Sequence, residues 1–493
     1  MPIPLSLPPP PPDFVPRHCL VREHDGARGR EGRPDAIDSI LSDVYPIKVH
    51  WDDTFTEKQA RIVLESTELA WLVQVEELGY RAPVLPDNAD GPELDLYLSS
   101  SHAGAWSAWA VNDTSADDIA GDGLFGVSAY VVFGQIPEEW LPSYAAHEFN
   151  HVVQYATDYS EWFTNFWESH ATAAQKWTLG EPDYSYEISS WQKVPYGPSL
   201  VGDSYLLWPD IQQAYSFEYG AVVWAIYMDE VYGAGDGTMG PALWYAAANE
   251  GWSYEPDHMD AVIALGGPLG PLLDGLAVAR YLTGDRWDSR GLAEAEYWTD
   301  GQEVPVDTQL GLDDLPSDVM FGNPLMITGQ GYIRLDVGER STDELTVSVT
   351  DLDGELDASV VLMWWNGDGS VGDTLADDDV SGANPVRTLD LTGVDEVIVA
   401  VSNLGPPNAD FDYTMPTREG LYRVTMSLGG EPEAEDTGPA GDTGTPPGSY
   451  EGEGDGGEGK GCGCASSGGP WWLGLAAPWL LGRRRRRGAE LGG

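Results

Sequence analysis

Apolar positions in the first part of the chain follow two periods, that of strands and that of helices. Residues 45–51 alternate between apolar and polar side chains, and residues 94–98 and 128–134 are short, mainly apolar runs, so each segment is typical of a β-strand. From residue 142 to about residue 284, apolar side chains recur every three or four positions, as in amphipathic helices. These patterns predict an α+β domain over residues 41–310.

One more helix is predicted between the first two strands. Thr56 and Gln59 have the spacing of a capping box, in which each side chain hydrogen-bonds to the backbone N–H of the other residue. Apolar side chains then recur at helical spacing as far as Leu78, and Gly79 is of the residue type that commonly ends a helix. The sequence therefore predicts one helix between Thr56 and Gly79.

After about residue 315 the pattern changes to short β-rich runs separated by Gly, Asp and Asn. Five such runs are YIRLDV, ELTVSVT, ASVVLMWW, EVIVAVSN and LYRVTMSL, and their spacing is typical of a β-sandwich. We therefore predict an all-β sandwich domain over residues 315–430. Two of its Asp-rich loops, residues 351–357 and 366–373, are candidate Ca²⁺ sites, although neither matches an EF-hand loop.

The two ends of the chain do not have the composition of a folded domain. Residues 1–40 are rich in Pro, Arg and Gly, which predicts a disordered N-terminal tail. The five prolines at residues 8–12 exclude a helix, and no signal peptide is visible. Residues 431–461 carry many acidic side chains and no apolar run, which predicts a disordered linker. Residues 462–493 contain two cysteines, a short apolar stretch and a block of arginines.

The composition of the chain bears on which partners it can bind and on what can stabilise its fold. The chain has 25 basic and 81 acidic residues, a formal net charge of -56 at pH 7, and ten of the basic residues lie at residues 17–33 and 483–487. The body therefore offers few cations for phosphate groups, and nucleic acid is not expected as a partner. The three cysteines lie outside both predicted domains, so these must be held by packing and by metal rather than by disulfides.

The segment AAHEFNHVVQY, residues 145–155, carries the strongest chemical signal. His147 and His151 are four positions apart, so on a helix both imidazoles lie on one face and can reach a single ion. Glu148 is then placed beside the ion, where it can act as a general base on water. The pattern predicts a Zn²⁺ site that prepares water for attack on a carbonyl carbon.

A catalytic zinc site needs a third protein ligand and one open position. Thr157 stands where a metzincin would have its third histidine, which excludes that class. Glu168 lies in a second helical segment, residues 164–177, that can pack against the first. The residues alone leave four candidates open: Asp158, Glu161, Glu168 and His170.

The HEFNH segment and the later run WESHATA together resemble the HExxH and distal-glutamate pattern of the gluzincin metallopeptidases. Sixteen residues separate His151 from Glu168, and Glu168 falls on the position of the third ligand. The resemblance implies zinc, a zincin-like peptidase fold and Glu168 as the third ligand. It also implies that the strand at residues 128–134 is an edge strand that pairs with extended substrate.

Stabilising the oxyanion of such a reaction takes a hydrogen-bond donor besides the metal. Tyr219 and His258 are the visible candidates, and both lie downstream of the predicted ligands, as such donors do in gluzincins. Tyr219 is the preferred candidate. A tyrosine that opens an apolar helix is also commonly a half-buried packing residue, and that interpretation stays open.

At the C-terminus, Cys462 and Cys464 precede the apolar stretch 471–481, which the arginines at 483–487 follow. This order is similar to the C-terminal sorting tag of myxobacterial surface proteins, whose apolar run halts in the membrane on its positive cluster. The resemblance implies export, processing by a sorting machinery and anchoring at the cell envelope. Because no signal peptide is visible, we expect the true start of the protein to differ from residue 1.

These patterns together predict an exported, surface-anchored zinc metallopeptidase. It would consist of a zincin-like α+β domain, an all-β sandwich, an acidic linker and a short C-terminal membrane segment. His147, His151 and Glu168 would bind Zn²⁺, and Glu148 would act as general base on a protein or peptide substrate. Two alternatives stay open: a surface adhesion protein that keeps the zinc fold without turnover, and a zinc hydrolase of glycans or cell-wall amides.

Overall fold

A computed structural model describes most of the two predicted domains. The described residues are 33–86, 91–103, 107–113, 122–161, 163–180, 188–201, 217–249, 251, 253, 255–298, 303–338, 343–375, 381–407 and 418–429. The chain divides into two compact units, Met1–Glu433 and Ala434–Gly493, and every described residue belongs to the first. The predicted linker at 431–461 and the sorting tag at 462–493 lie outside the described residues, as do residues 1–32 of the predicted N-terminal tail.

A five-stranded mixed sheet forms the first layer of the α+β part. Its strands are β1 Asp38–Leu41, β2 Ile47–Trp51, β3 Leu94–Leu98, β4 Ala108–Asn112 and β5 Ala129–Phe133. Their order is β1-β2-β3-β5-β4, in which β2, β3 and β5 are parallel and the outer strands β1 and β4 are antiparallel to their neighbours. β1 lies largely within the residues that the sequence assigned to the N-terminal tail.

The edge strand was predicted wrongly. The sequence placed it at residues 128–134, but β5 pairs with β3 on one side and with β4 on the other, so β4 is the edge of the sheet. All five residues of β5 are buried, whereas β4 is partly exposed. A run that is apolar throughout is typical of an interior strand with both faces covered, and this is the position that β5 occupies.

The predicted helix after Thr56 is confirmed. α1 spans Glu57–Ala70, and Thr56 and Gln59 form the capping box with both reciprocal hydrogen bonds. The helix then widens into a π-helical segment, Trp71–Glu77, and Gly79 follows with a positive φ of 91°. This π-helical segment could not be predicted from the apolar spacing, and it directs Gln74 into the protein interior.

The other helices pack around α2, which lies against the sheet. α2 spans Leu141–Thr157 and contacts both α1 and strands β4 and β5, while α3, Thr164–Leu179, packs against α2. The helices that follow are α4 Ile188–Gln192, α5 Phe217–Gly220, α6 Val222–Tyr227, α7 Met239–Ala247, α8 His258–Gly266 and α9 Leu269–Tyr281. Another π-helical segment, Met228–Tyr232, continues α6. α2 therefore lies in the centre of the body, between the sheet and α3.

The predicted β-sandwich is present and includes all five β-rich runs. The strands are β6 Thr308–Gly311, β7 Ser317–Met320, β8 Leu325–Met326, β9 Gln330–Asp336, β10 Glu344–Asp351, β11 Asp357–Asn366, β12 Val371–Leu375, β13 Ser381–Gly382, β14 Val386–Asp390, β15 Val394–Gly405, β16 Glu419–Gly420 and β17 Tyr422–Leu428. One sheet has the order β14-β10-β17-β7; the other has the order β12-β11-β15-β9-β6, with β13 paired to β11. β8 and β16 pair separately.

Helix α9 packs on the outer face of the larger sandwich sheet. Ala277 and Tyr281 of α9 belong to one buried apolar cluster with Tyr332, Met363 and Ala400 of three strands. The Tyr332 hydroxyl donates a hydrogen bond to the Ala277 carbonyl oxygen over 3.1 Å. The central strands are therefore buried on both faces, and the α+β part and the sandwich share this cluster.

Within the described residues, no single helix has both the length and the apolar composition needed to cross a membrane. Taken together, α8 and α9 meet that test, but the chain bends by 88° between them. The predicted membrane stretch, residues 471–481, lies outside the described part of the chain.

Candidate metal centre

Helix α2 carries the HEFNH segment through the centre of the body. Pro142 stands in its first turn, where the missing N–H of proline costs no helical hydrogen bond. Every residue of α2 except Pro142 is buried, which explains why its sequence has so few charges. His147 and His151 lie one turn apart on one face, with their ring centroids 4.8 Å apart.

Three buried ligand atoms converge between α2 and α3. The Glu168 Oε2 atom lies 3.1 Å from His147 Nε2 and 3.4 Å from His151 Nε2. The two Nε2 atoms are 3.1 Å apart. All three side chains are at least 98% buried, so no bulk water separates these atoms. Of the four candidates for a third ligand, Glu168 is the one that joins the two histidines.

The donor set fits a zinc ion. Two imidazole nitrogens and one carboxylate oxygen are the ligand types of catalytic zinc sites, and atoms bound at about 2.0–2.1 Å around a tetrahedral ion lie roughly 3.3 Å apart. The observed separations are 3.1, 3.1 and 3.4 Å. Two nitrogen lone pairs and an anionic oxygen repel one another at this distance unless a cation or a proton lies between them.

Hydrogen bonds to Nδ1 prepare both histidines as ligands through Nε2. His147 Nδ1 lies 3.1 Å from Gln175 Oε1, and the Gln175 amide nitrogen donates to Ser143 Oγ over 2.5 Å. His151 Nδ1 lies 2.7 Å from Gln154 Oε1. Because an amide oxygen only accepts, each Nδ1 carries a ring proton, so each Nε2 is the nitrogen that can donate to Glu168 or, once deprotonated, bind a cation.

A chain of buried amides extends this support to Gln74 in the π-helical segment that follows α1. The Gln154 nitrogen donates to Asn150 Oδ1 over 2.7 Å and to the Trp167 carbonyl oxygen over 3.0 Å. Asn150 in turn donates to Gln74 Oε1 over 3.0 Å, and Gln74 donates to the Ala146 carbonyl oxygen over 2.9 Å. Gln154 therefore touches one ligand, His151, and the peptide group that precedes the other ligand, Glu168.

The electrostatics of the three ligands are coupled. Burial opposes the charged form of Glu168, but the charge of His151 and hydrogen bonds from both histidines outweigh it, so the pKa of Glu168 lies below its ordinary value. Burial likewise opposes a charged His151, and the Glu168 carboxylate reverses this and raises the pKa of His151. Glu168 is therefore ionised, as a metal ligand must be.

Glu148 lies beside the ligands and next to the edge strand. Burial raises the pKa of its carboxyl group to about 7, although the charges of His151 and His147 oppose the rise. A backbone hydrogen bond from Ala110 of β4 also favours its ionised form. A carboxyl group whose pKa lies near neutrality can both accept and return a proton.

Tyr219 lies beside His147, as a candidate donor to the oxyanion must. It belongs to α5, is buried, and stacks its ring on that of His147 with centroids 5.9 Å apart and an interplanar angle of 28°. Its proximity agrees with both interpretations of the sequence, an oxyanion donor and a packing residue. Its catalytic role stays a prediction.

The other sequence candidates lie away from the three ligands. His258 Nε2 donates to the Leu200 carbonyl oxygen over 2.9 Å, and its ring packs on Phe163. His170 is enclosed by rings that include that of Trp224. Burial lowers the pKa of both histidines to about 3, with repulsion between them adding to the shift of His170. Neither joins the metal-ligand cluster in the described part of the chain.

The two Asp-rich loops of the sandwich use their carboxylates locally. Asp351 Oδ2 accepts hydrogen bonds from the backbone N–H groups of Glu355 and Leu356 over 2.9 and 3.0 Å, and Asp368 Oδ1 accepts one from Ser370. Among the described residues, neither loop brings three acidic groups together. Calcium binding at these loops stays a prediction.

Sequence reasoning missed the amide side chains that hold the site. Asn150 and Gln154 fall at helical spacing on the same face as His147 and His151, within an otherwise mostly apolar helix, and that polar face was the available signal. Gln74 and Gln175 carried no such signal, because their partners lie 76 and 28 residues away in sequence.

Comparisons with known proteins identify no family. No protein-family model and no curated protein matches the chain. The pre-peptidase C-terminal domain of a collagenase from Bacillus anthracis matches 25% of this chain and 97% of its own, at 13% identity and a TM-score of 0.17. The surface-associated copper-binding protein CorA of Methylomicrobium album BG8 matches 25% and 98%, at 10% identity and a TM-score of 0.18. A family GH115 glucuronidase matches 60% and 45%, at 10% identity and a TM-score of 0.11. Such low scores carry no argument about fold or function.

Proposed function

We propose that this protein is a zinc metallopeptidase that hydrolyses peptide bonds of protein or peptide substrates. The observation that carries the proposal is the convergence of His147 Nε2, His151 Nε2 and Glu168 Oε2 within 3.4 Å of one another in a fully buried site. Glu148 lies beside these atoms with a pKa raised to about 7. The three converging residues would hold zinc, which when bound supplies a Lewis acid that polarises a carbonyl and lowers the pKa of water.

The chain's own groups account for the proton transfers of such a reaction. Glu148 takes a proton from the attacking water and returns it to the leaving amine, which needs a group that changes protonation near neutral pH. Gln175 and Gln154 hold the two imidazoles in the tautomer that keeps Nε2 free of its proton. Tyr219, stacked on His147, is the candidate donor to the oxyanion.

The edge strand supports a binding mode for an extended peptide. β4 ends the order of the sheet and pairs with β5 through one of its two sides. Among the described residues no strand pairs with its other side, whose backbone N–H and C=O groups an added strand can pair with. Since the backbone of Ala110 in β4 is close enough to Glu148 to lower the pKa of its carboxyl group, a peptide on this edge would run past the proposed base.

The proposed location is the cell envelope. Its support is the order of Cys462, Cys464, the apolar residues 471–481 and the arginines at 483–487, which resembles a sorting tag read by processing machinery. An acidic segment at 431–461 would then separate the folded body from the membrane. The sandwich would bind substrate or space the enzyme from the cell.

Substituting the proposed base tests the function. Glu148→Gln should retain zinc and lower the hydrolysis of a casein-type substrate by about 10²–10⁴-fold. Glu139→Gln is the matched control, because Glu139 is exposed just before α2, and its activity should equal that of the wild type.

The alternative function predicts a different result. A surface adhesion protein that keeps the zinc fold would bind zinc in all three proteins and hydrolyse nothing in any of them. Wild-type hydrolysis of peptidoglycan amides or glycans, without hydrolysis of casein, would instead favour a zinc hydrolase of another substrate class. Either result would contradict the proposed peptidase.

A further inference from the structure

A second group of acidic side chains surrounds the start of α8, separate from the zinc site. Glu255, Asp257 and Asp260 each place one carboxylate oxygen within 4.8 Å of the others. Asp257 is buried, with 5% of its surface exposed, whereas Glu255 and Asp260 lie at the surface. Glu161, from the segment that joins α2 to α3, adds a fourth negative charge that acts on Asp257.

The two oxygens of Asp257 have different environments. Oδ1 caps α8 by accepting hydrogen bonds from the backbone N–H groups of Met259 over 2.8 Å and of Asp260 over 3.2 Å. Oδ2 is buried and has no hydrogen-bond donor among the described residues. Capping a helix needs one oxygen only. A buried carboxylate oxygen without a donor costs free energy unless a cation or a proton compensates it.

The surroundings of Asp257 are strongly unfavourable to its charge. Burial, then the charge of Glu161, raise the pKa of Asp257 to about 9, and the charges of Glu255 and Asp260 add to the rise. All three neighbouring charges therefore act on the carboxylate that contains the buried Oδ2 atom. A divalent cation among these groups would supply the positive charge that the cluster lacks.

We propose that Glu255, Asp257 and Asp260 form a binding site for Ca²⁺. An all-oxygen set of carboxylates is the donor set of hard cations, and Ca²⁺ tolerates irregular geometry and neighbouring carbonyl oxygens better than Mg²⁺ does. In this proposal the buried Asp257 Oδ2 atom would be the inner ligand, and the exposed Glu255 and Asp260 would close the site from the solvent side.

The position of the site indicates what the cation does. Asn249 donates hydrogen bonds to Asp158 Oδ2 and to the Pro256 carbonyl oxygen, both over 3.1 Å, and so joins the loop before α8 to the end of α2. Glu161 lies in the segment that leads from α2 into α3, the helix of Glu168. A cation beside Glu161 would therefore stabilise the segment that sets the spacing of the two zinc-binding helices.

The test is calcium titration of the full-length protein at about 0.15 M salt, where weak binding to the acidic surface is screened. The wild type should bind Ca²⁺ saturably, in the range of about 10⁻⁴–10⁻³ M that is common for extracellular modules, and its unfolding temperature should rise by several degrees. Asp257→Asn should weaken binding at least about tenfold and abolish the calcium-dependent rise. Asparagine is itself a good N-cap, so the variant keeps the helix start.

Two further variants of the protein serve as a control and as a second test of calcium binding. Asp236→Asn is the matched control, because Asp236 Oδ1 also accepts a backbone N–H two residues on, that of Thr238 over 3.1 Å, but at an exposed position. It should bind calcium as the wild type does. Glu255→Gln changes an exposed side chain that cannot disturb the core, and should weaken binding as well.

Stability without calcium separates cation binding from helix capping. In calcium-free buffer near neutral pH, Asp257→Asn should unfold at the same temperature as the wild type or higher, because it removes an acid that must take up a proton to be buried in the folded state. The proposal is overturned by non-saturable binding to the wild type, by equal binding to Asp257→Asn and Asp236→Asn, or by a calcium-independent destabilisation of Asp257→Asn. Zinc content should be equal in all variants, so this result does not depend on the zinc site.

Discussion

Two pairs of buried histidines lie in the same helical body and have opposite chemistry. His147 and His151 face the Glu168 carboxylate, and an amide oxygen accepts from each Nδ1. His170 and His258 are enclosed mainly by aromatic rings, and burial lowers their pKa values to about 3. His258 has a fixed acceptor in the Leu200 carbonyl oxygen and a carboxylate, that of Glu161, 3.9 Å from its Nδ1, yet burial still lowers its pKa. The first pair differs in that one carboxylate lies within 3.4 Å of both rings, and this closer anion makes those two histidines the candidate ligands.

The largest expected effect follows from removing the anion from the first pair. Glu168→Gln should lower zinc affinity by more than the roughly 10–100-fold typical of changes outside the ligand sphere, because a neutral amide replaces a charged ligand. Metal analysis of the purified protein measures this. Glu161→Gln changes a rejected candidate for the third ligand, and it should retain its zinc. Equal zinc content in both variants would contradict the assignment of Glu168.

A smaller effect is expected from removing the acceptor of His151. Gln154→Leu should weaken zinc binding by about 10–100-fold, because it frees the imidazole and also the peptide group before Glu168. Competition with a chelator measures the affinity. Gln192→Leu makes the same change at a buried glutamine that hydrogen-bonds to Arg280, so it should destabilise the fold and leave zinc affinity unchanged.

The second pair should contribute to acid sensitivity. A histidine whose pKa is about 3 in the folded state and about 6.5 when unfolded binds its proton first in the unfolded chain, so its stabilising contribution is lost as pH falls between these values. His258→Phe should reduce that slope by about 1.4 kcal/mol per pH unit. Denaturant unfolding from pH 6.5 to 4 measures it. A slope equal to that of the wild type would contradict the lowered pKa, and measurement at pH 8 isolates the packing effect of the substitution.

The smallest expected effect tests whether the surface of α1 is coupled to the zinc site through Gln74. Thr56→Ala removes the capping box and should lower the free energy of unfolding by about 1 kcal/mol. Zinc affinity should not change, because Gln74 lies more than four turns further along the same helical segment. A parallel loss of zinc affinity would show that the start of α1 helps to position the amide chain.

Local patterns in the sequence were sufficient for most elements of the fold. The Thr56 capping box, strands β2, β3 and β5, and the runs of the sandwich each depend on residues close together in sequence. Strand neighbours depend on contacts between distant segments, so the sequence assigned the edge to residues 128–134 instead of β4. Residues 108–112, AWAVN, show no alternation of apolar and polar side chains and therefore gave no clear strand signal.

The candidate metal site was likewise predictable only where it depends on residues close together in sequence. His147 and His151 are defined by a spacing within one helix, but the choice of Glu168 over Glu161 rested on a resemblance, because it depends on how α3 packs on α2. The supporting amides could not be found in this way. Glutamine and asparagine are common surface residues, and their role at Gln74 or Gln175 depends on partners in other helices.

The shared cluster between α9 and the sandwich limits how this protein can be divided or recombined. A fragment cut between residues 298 and 308 would uncover Ala277 and Tyr281 on one piece and Tyr332, Met363 and Ala400 on the other. Each piece would then expose an apolar surface that favours aggregation. Any exchange of the β-rich half with an unrelated module would have to carry a surface that fits α9, so the two halves are expected to be inherited together.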